Sequence, residues 1–167
     1  ISNSIQADWM CMLCNTDEDN GPHGNKTLIV VELDAPGISK QKLKKLGLHC
    51  SDTGHIHFDD VRVPQRNRIG EEGRGFTYQM EQFQEERLYA VARTVTFLED
   101  ALEETIDYTR QRTAFGRPIL ENQVMHYKMA EMQSQLEAIR ALLYRATEQY
   151  VDGGNVTKLA SMCKYLV

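Results

Sequence analysis

The sequence has no apolar run approaching the ~20 residues that a membrane-spanning helix needs. It has no low-complexity tract, and with 41% hydrophobic and 26% charged residues its composition is that of a packed globular protein. Positive charge is not in excess. The formal net charge is −5, and Lys and Arg are scattered apart from a short run at Lys40, Lys42, Lys44 and Lys45, which argues against a nucleic-acid surface. Four cysteines, at 11, 14, 50 and 163, suggest no disulfide framework and favour a reducing compartment. There is no initiator Met and no signal or transit pattern before Ile1-Ser2-Asn3, and the chain stops inside a helical pattern at Tyr165-Leu166-Val167. Both ends therefore look cut, and 167 residues suffice for one ordinary domain or two incomplete ones.

Candidate strands cover residues 8–14, 27–33 and 55–63, the last with a slip at Asp59-Asp60 that a bulge would explain. Turn formers separate them: Asn20-Gly21-Pro22, Ala35-Pro36-Gly37 and Ser51-Asp52-Thr53-Gly54. Three or four strands make a poor sheet alone, so part of the sheet is expected to be missing. Cys11-Met12-Leu13-Cys14 has CxxC spacing, but on a strand residues 11 and 14 face opposite sides and could not share a metal. Two small buried hydrophobes are the expectation there.

After Gly75 the period changes. Phe76, Met80, Phe83, Leu88, Val91, Val95, Leu98, Leu102 and Ile106 recur at mostly helical steps, and no Gly or Pro intervenes before Gly116. The pattern predicts a helix of roughly 30 residues ending near Arg112. A second follows from about residue 120–123 to Tyr150, with Val124, Tyr127, Met129, Met132, Leu136, Ile139 and Leu143 on one broad face. Asp152-Gly153-Gly154 stops it, and Asn155 or Thr157 can cap a third. The fold class expected is α+β: a partial antiparallel β-domain over residues 1–70, then long antiparallel helices of an incomplete helical bundle over 71–167.

Few features carry chemistry by themselves. Gly70-Glu71-Glu72-Gly73-Arg74-Gly75 has the wrong order for a dinucleotide fingerprint and reads as a strand-to-helix hinge. His55 and His57 share a strand face and could ligate a metal, although solvated or sheet-packed histidines are the favoured reading. Residues Gln84-Glu85-Glu86-Arg87 interrupt an apolar helix. Consecutive side chains lie ~100° apart, so at most one or two face inward. An inward carboxylate could serve as a base, whereas a solvated stripe is the bland alternative. Arg110 to Pro118 is open between two readings: arginines complementing a helix C-terminus before a Gly/Pro stop, or an anion site.

Taken together and in order, several motifs resemble the acyl-CoA dehydrogenase family. Ile1-Ser2-Asn3 is similar to the end of its W-I-[ST]-N segment, and Lys45-Leu46-Gly47 with Ser51-Asp52-Thr53 to its K-x-G…S-D-T stretch. Phe58-Asp59-Asp60-Val61-Arg62-Val63-Pro64 is similar to F-[DE]-D-V-x-V-P, Gly70 to Phe76 to G-x-x-G-x-G-F, and Arg112-Thr113-Ala114-Phe115-Gly116 with Gln123 to R-x-x-F-G…Q. The resemblance implies oxidation of a fatty acyl-CoA thioester to its trans-2-enoyl-CoA with FAD as hydride acceptor. It also implies electron-transfer flavoprotein as acceptor, a homotetramer in the full-length protein, and a place in β-oxidation. The mitochondrial matrix is the compartment by family analogy, with bacterial cytoplasm as the alternative. No nucleic-acid partner, membrane span or metal is expected.

By the same resemblance Ile1 and Ser2 match flavin contacts, the Ser2 hydroxyl near N5. Arg112 matches an arginine at the FAD pyrophosphate of a neighbouring subunit, with Phe115 and Gln123 as adjoining contacts. Gln84 and Glu85 match the segment lining the thioester end of the substrate, and Arg87 the helix arginine beside the acyl-CoA. Glu86, immediately before that arginine, matches the catalytic base of the long-chain and isovaleryl types. An oxidase of the same fold, of acyl-CoA or nitroalkane type, and a non-catalytic homologue acting as a binding module are the alternatives; the presence of Glu86, Arg87, Arg112 and Phe115 argues against the latter.

Overall fold

A computed structural model describes residues 1–167, which form two compact units, Ile1–Met80 and Glu81–Val167. In the first, β1 (Trp9–Asn15) and β2 (Lys26–Glu32) pair antiparallel from Trp9↔Glu32 to Asn15↔Lys26. Two further strands, β3 (Ile38–Lys42) and β4 (Gly54–Phe58), make a separate antiparallel ribbon. The short β5 (Arg68–Ile69) adds to the other edge of β2. Alternation along β2 turns Thr27 and Val31 fully inward. Buried Thr27 needs polar partners, and its hydroxyl has two: the Thr16 hydroxyl at 2.7 Å and the Gly73 N–H at 3.0 Å. That bond fastens the glycine hinge to the sheet. Gly75 must be glycine because a Cβ there would lie 2.8 Å from the Leu28 nitrogen.

Three sequence expectations need correction in this unit. The strand expected over 55–63 ends at Phe58, and Asp60 adopts a left-handed φ of 48° that Asp tolerates better than most residues, so Asp59-Asp60 is a turn rather than a bulge. Val61 to Pro64 are irregular, consistent with proline's restriction of its predecessor. Strand β3 was not anticipated, because Ile38-Ser39-Lys40-Gln41-Lys42 has almost no apolar signal and takes its conformation from pairing with β4. Cys11 is exposed and Cys14 half-buried, not both buried, and all four cysteines are unpaired.

A single helix, α1 (Gly75–Gln111), leads from the first unit into the second. A tight hairpin of β6 (Thr113–Ala114) and β7 (Arg117–Pro118) follows, then α2 (Gln123–Val151) and α3 (Thr157–Leu166). The core of the helical unit joins Leu88, Val91 and Val95 of α1, Leu136, Ile139, Leu143 and Ala146 of α2, and Val156, Ala160 and Cys163 at α3. Val91, Ala146, Val156, Ala160 and Cys163 are wholly buried, and each large aliphatic in such a core contributes roughly 1.5–3 kcal/mol of burial free energy. The broad apolar face expected on α2 splits: Val124, Tyr127 and Met132 are exposed, while Met129, Leu136, Ile139 and Leu143 are buried. The cap position of α3 is Val156, which makes no side-chain cap bond, rather than Asn155 or Thr157; Asn155, one residue earlier, accepts from the Thr157 N–H through its side-chain oxygen at 2.9 Å. The order is antiparallel sheets, then long helices, an α+β architecture.

Candidate functional site

Of the four polar residues that interrupt α1, Gln84 is the one committed inward. Its side-chain oxygen accepts from the backbone N–H of fully buried Val156, at 3.1 Å, and so satisfies a donor at the start of α3. Glu85 is exposed and accepts from the Tyr150 hydroxyl at 3.1 Å, a bond that, with the carboxylate's charge, raises the phenol above its ordinary pKa. Neither bond was foreseen, because each spans more than sixty residues of sequence. The Glu86 carboxylate is exposed, accepts only from the Gln82 amide at 3.1 Å, and has no cation partner. Half-buried Arg87 lies over the Phe83 ring, 5.9 Å from its centroid. No carboxylate of this stretch is buried in the helical unit, so the inward base considered from sequence is not present within it. Beside it, a groove of about 530 Å³ runs between α1 and α2, lined by Glu85, Leu88, Tyr89, Leu143, Tyr144 and Tyr150 among others.

Near the far end of α1 the chain reverses in two residues. Thr113 pairs with Pro118 and Ala114 with Arg117, leaving Phe115 and Gly116 as the turn, both at positive φ, 54° and 80°. That is the turn whose twist suits a two-residue hairpin, and glycine fits its second position. Phe115 does not suit the first. A bulky residue in the left-handed region is strained, and its ring is fully exposed, touching nothing that would compensate. Arg112 is exposed with no carboxylate partner, in contrast to Arg110, which pairs with Asp107 at 3.0 Å. Gln123 opens α2 and donates to the Tyr127 hydroxyl at 2.8 Å. An unpaired guanidinium, an amide and a bare aromatic ring within residues 112–123 suit an anionic ligand with aromatic parts.

These two sets are not one site. About 25 residues of helix at ~1.5 Å each put Glu86 and the Arg112 end roughly 38 Å apart on the same α1. The structure brings Gln84, Glu85, Glu86 and Arg87 together on one stretch and Arg112, Phe115 and Gln123 together on another.

Ile1 and Ser2 belong to the first unit. Ser2 bridges Thr53 in antiparallel fashion, the Gly54 N–H donates to the Ile1 carbonyl at 2.9 Å, and the Asn3 N–H to the Asp52 carbonyl at 2.9 Å. Asn3 then turns at φ 59°, leaving Ser2 exposed. Asp52 is buried, and its carboxylate accepts from the Ile5 N–H at 3.0 Å. That backbone bond holds its pKa below the ordinary value against the opposing effect of burial, helped by Gln6 and Lys42. In the sequence Asp52 stands out only as part of the Ser51-Asp52-Thr53-Gly54 turn and the S-D-T motif. A buried Asp within a Ser-Asp-Thr turn is a cue of its own, since such a carboxylate must have donors to justify its burial.

The His55 and His57 rings lie 4.7 Å apart on the exposed face of β4, and no group of three or more His, Cys, Asp or Glu side chains is gathered for a metal. Burial pushes the thiols of Cys14 and Cys163 up, away from nucleophilic thiolate character.

Residues 73–167 match the family model described as acyl-CoA dehydrogenase, C-terminal domain. The chain is 39% identical over 165 residues to an acyl-CoA dehydrogenase of Bacillus subtilis, covering 98% of this chain and 43% of that protein. It is 33% identical over 167 residues to the mitochondrial long-chain specific acyl-CoA dehydrogenase of Sus scrofa, covering 99% of this chain and 39% of the other. The three-dimensional structure of butyryl-CoA dehydrogenase from Megasphaera elsdenii superposes with a TM-score of 0.91 at 34% identity, covering 99% of this chain and 43% of that one. The chain thus spans less than half the length of these relatives.

Proposed function

Because the chain belongs to the acyl-CoA dehydrogenase family, we propose that the full-length protein oxidises an acyl-CoA thioester to the corresponding trans-2-enoyl-CoA. FAD, when bound, supplies the acceptor for the β-hydrogen as hydride. The residues present fit such a cofactor: Arg112 is a guanidinium without a carboxylate, and Phe115 is an aromatic ring held out on a strained turn. Arg112 would hold the pyrophosphate, with Phe115 and Gln123 beside it, and Ser2 with Ile1 would meet the flavin. Glu86 would take the α-proton on a side-chain oxygen, with Arg87, Gln84 and Glu85 flanking the thioester end.

The observation that carries this reading is the ~38 Å between Glu86 and the Arg112 corner. One rigid helix cannot bring both ends to the same reacting centre, so each end serves a different copy of the site, and the working protein is an oligomer in which subunits complete each other's sites. A homotetramer passing electrons to electron-transfer flavoprotein is the form of that assembly we propose. The Glu-Arg-Leu pattern at residues 86–88 supports a base on α1, as in the long-chain and isovaleryl types, and the fatty acyl class rests on the family resemblance.

Glu86→Gln in the full-length protein tests the assignment. FAD should remain bound, while anaerobic bleaching of the flavin by butyryl-, octanoyl- or palmitoyl-CoA should slow by at least ~10³-fold, as expected for loss of a general base in a preorganised site. A variant bleached at the parent rate would sink the role of Glu86, and hydrogen peroxide formed stoichiometrically with substrate would indicate an oxidase instead.

A further inference from the structure

Asp52 holds the segment that carries Ser2 at two points. Asp52 fixes its near side through the main chain, where its carbonyl accepts from the Asn3 N–H at 2.9 Å. It fixes the far side through its carboxylate, which accepts from the Ile5 N–H at 3.0 Å. Both anchor points follow Ser2 in the chain, at the left-handed Asn3 and at Ile5, and Ser2 itself is bridged to Thr53. Asp52 is only 5% exposed, and its second carboxylate oxygen is buried without any hydrogen-bond partner. A half-satisfied buried carboxylate is costly wherever a neutral residue would serve, and such local violations concentrate where function requires them. Gly54 closes the clamp from outside: a Cβ there would lie 2.5 Å from the Ser4 hydroxyl and 2.7 Å from Ile5 Cδ1.

From this geometry we infer that Asp52 is a positioning residue, setting where the Ser2 hydroxyl meets the flavin by gripping, at two points, the turn that follows it. The inference rests on the proposed flavin contact of Ser2 and adds the residue through which that contact is controlled. In this role Asp52 acts through Ser2 and not on the substrate or cofactor.

The test is a double-mutant cycle in the full-length FAD-bound protein, read by the flavin absorption maximum and by the anaerobic rate of flavin reduction by octanoyl-CoA. Ser2→Ala should slow reduction about tenfold and shift the flavin band, as expected when a cofactor hydrogen bond is lost. Asp52→Ala should give the same band shift and a similar slowing. The double variant should be no slower than either single one, because both remove the same contact. Asp52→Asn, whose amide oxygen still accepts from the Ile5 N–H, should recover the parent band and rate to within about threefold. If Asp52→Ala gives no folded holoprotein, Gly54→Ala displaces the same turn and should reproduce the shift, again without adding to Ser2→Ala. Multiplicative losses, or an unshifted flavin in Asp52→Ala or Gly54→Ala, would overturn the positioning role while leaving the Ser2 contact intact. A silent Ser2→Ala would overturn the contact itself, and this inference with it.

Discussion

Replacing Gln84 with Met removes one hydrogen-bond acceptor while nearly preserving side-chain length and volume. The partner left behind is the backbone N–H of Val156, which has no exposure to water and lies 3.1 Å from the Gln84 oxygen. An orphaned buried donor costs ~1–3 kcal/mol, so the helical unit should lose about 2 kcal/mol. With a urea slope of ~1–3 kcal/mol/M, the midpoint of helix loss followed by circular dichroism should fall by about 1 M. Gln84→Glu keeps an oxygen in place and adds negative charge beside the start of α3, where the helix dipole favours it by ~0.3–1 kcal/mol. That variant should match or exceed the parent. Amide exchange at Val156 should accelerate in the Met variant alone. A Met variant within ~0.5 kcal/mol of the parent, or a Glu variant that falls equally far, would refute the capping role of Gln84.

Two further outcomes follow from strain and charge. Phe115→Gly, which relieves the positive φ of 54°, should stabilise the helical unit by about 1 kcal/mol and raise its melting temperature, while lowering FAD retention in the full-length protein; stability and retention falling together would contradict a strained functional turn. The Tyr150 phenol, raised by its hydrogen bond to Glu85, contributes stability that is complete below the ordinary value of 10.0 and is lost as pH climbs through the higher folded value. Ring NMR of Tyr150 should therefore titrate above pH 10, and Glu85→Ala should bring the midpoint back; an unchanged midpoint would show that Glu85 is not the cause.

Much of the helical unit was legible because a helix advertises itself locally. The apolar spacing from Leu88 to Leu102, the unbroken stretch after Gly75 and the Asp152-Gly153-Gly154 stop are short-range signals, and α1, α2 and α3 formed close to where they place them. The strands of the first unit were legible where the sequence is apolar, as in β1 and β2, and illegible in β3, whose polar residues are extended only because β4 is beside them.

The candidate site divides along the same line. The sequence by itself determined which residues carry the family pattern and that a polar stretch interrupts α1, because residue type and spacing suffice for both. It could not determine which of the four faces inward. Gln84 was chosen by a donor at Val156, and Glu85 by a hydroxyl at Tyr150. Nor could it tell that Asp52 grips the Ser2 turn, or that Glu86 and Arg112 stand a helix-length apart. Periodicity is a property of neighbours in the chain. Distance, burial and the identity of a hydrogen-bond partner belong to residues that meet only after folding, and only the tertiary structure could decide them.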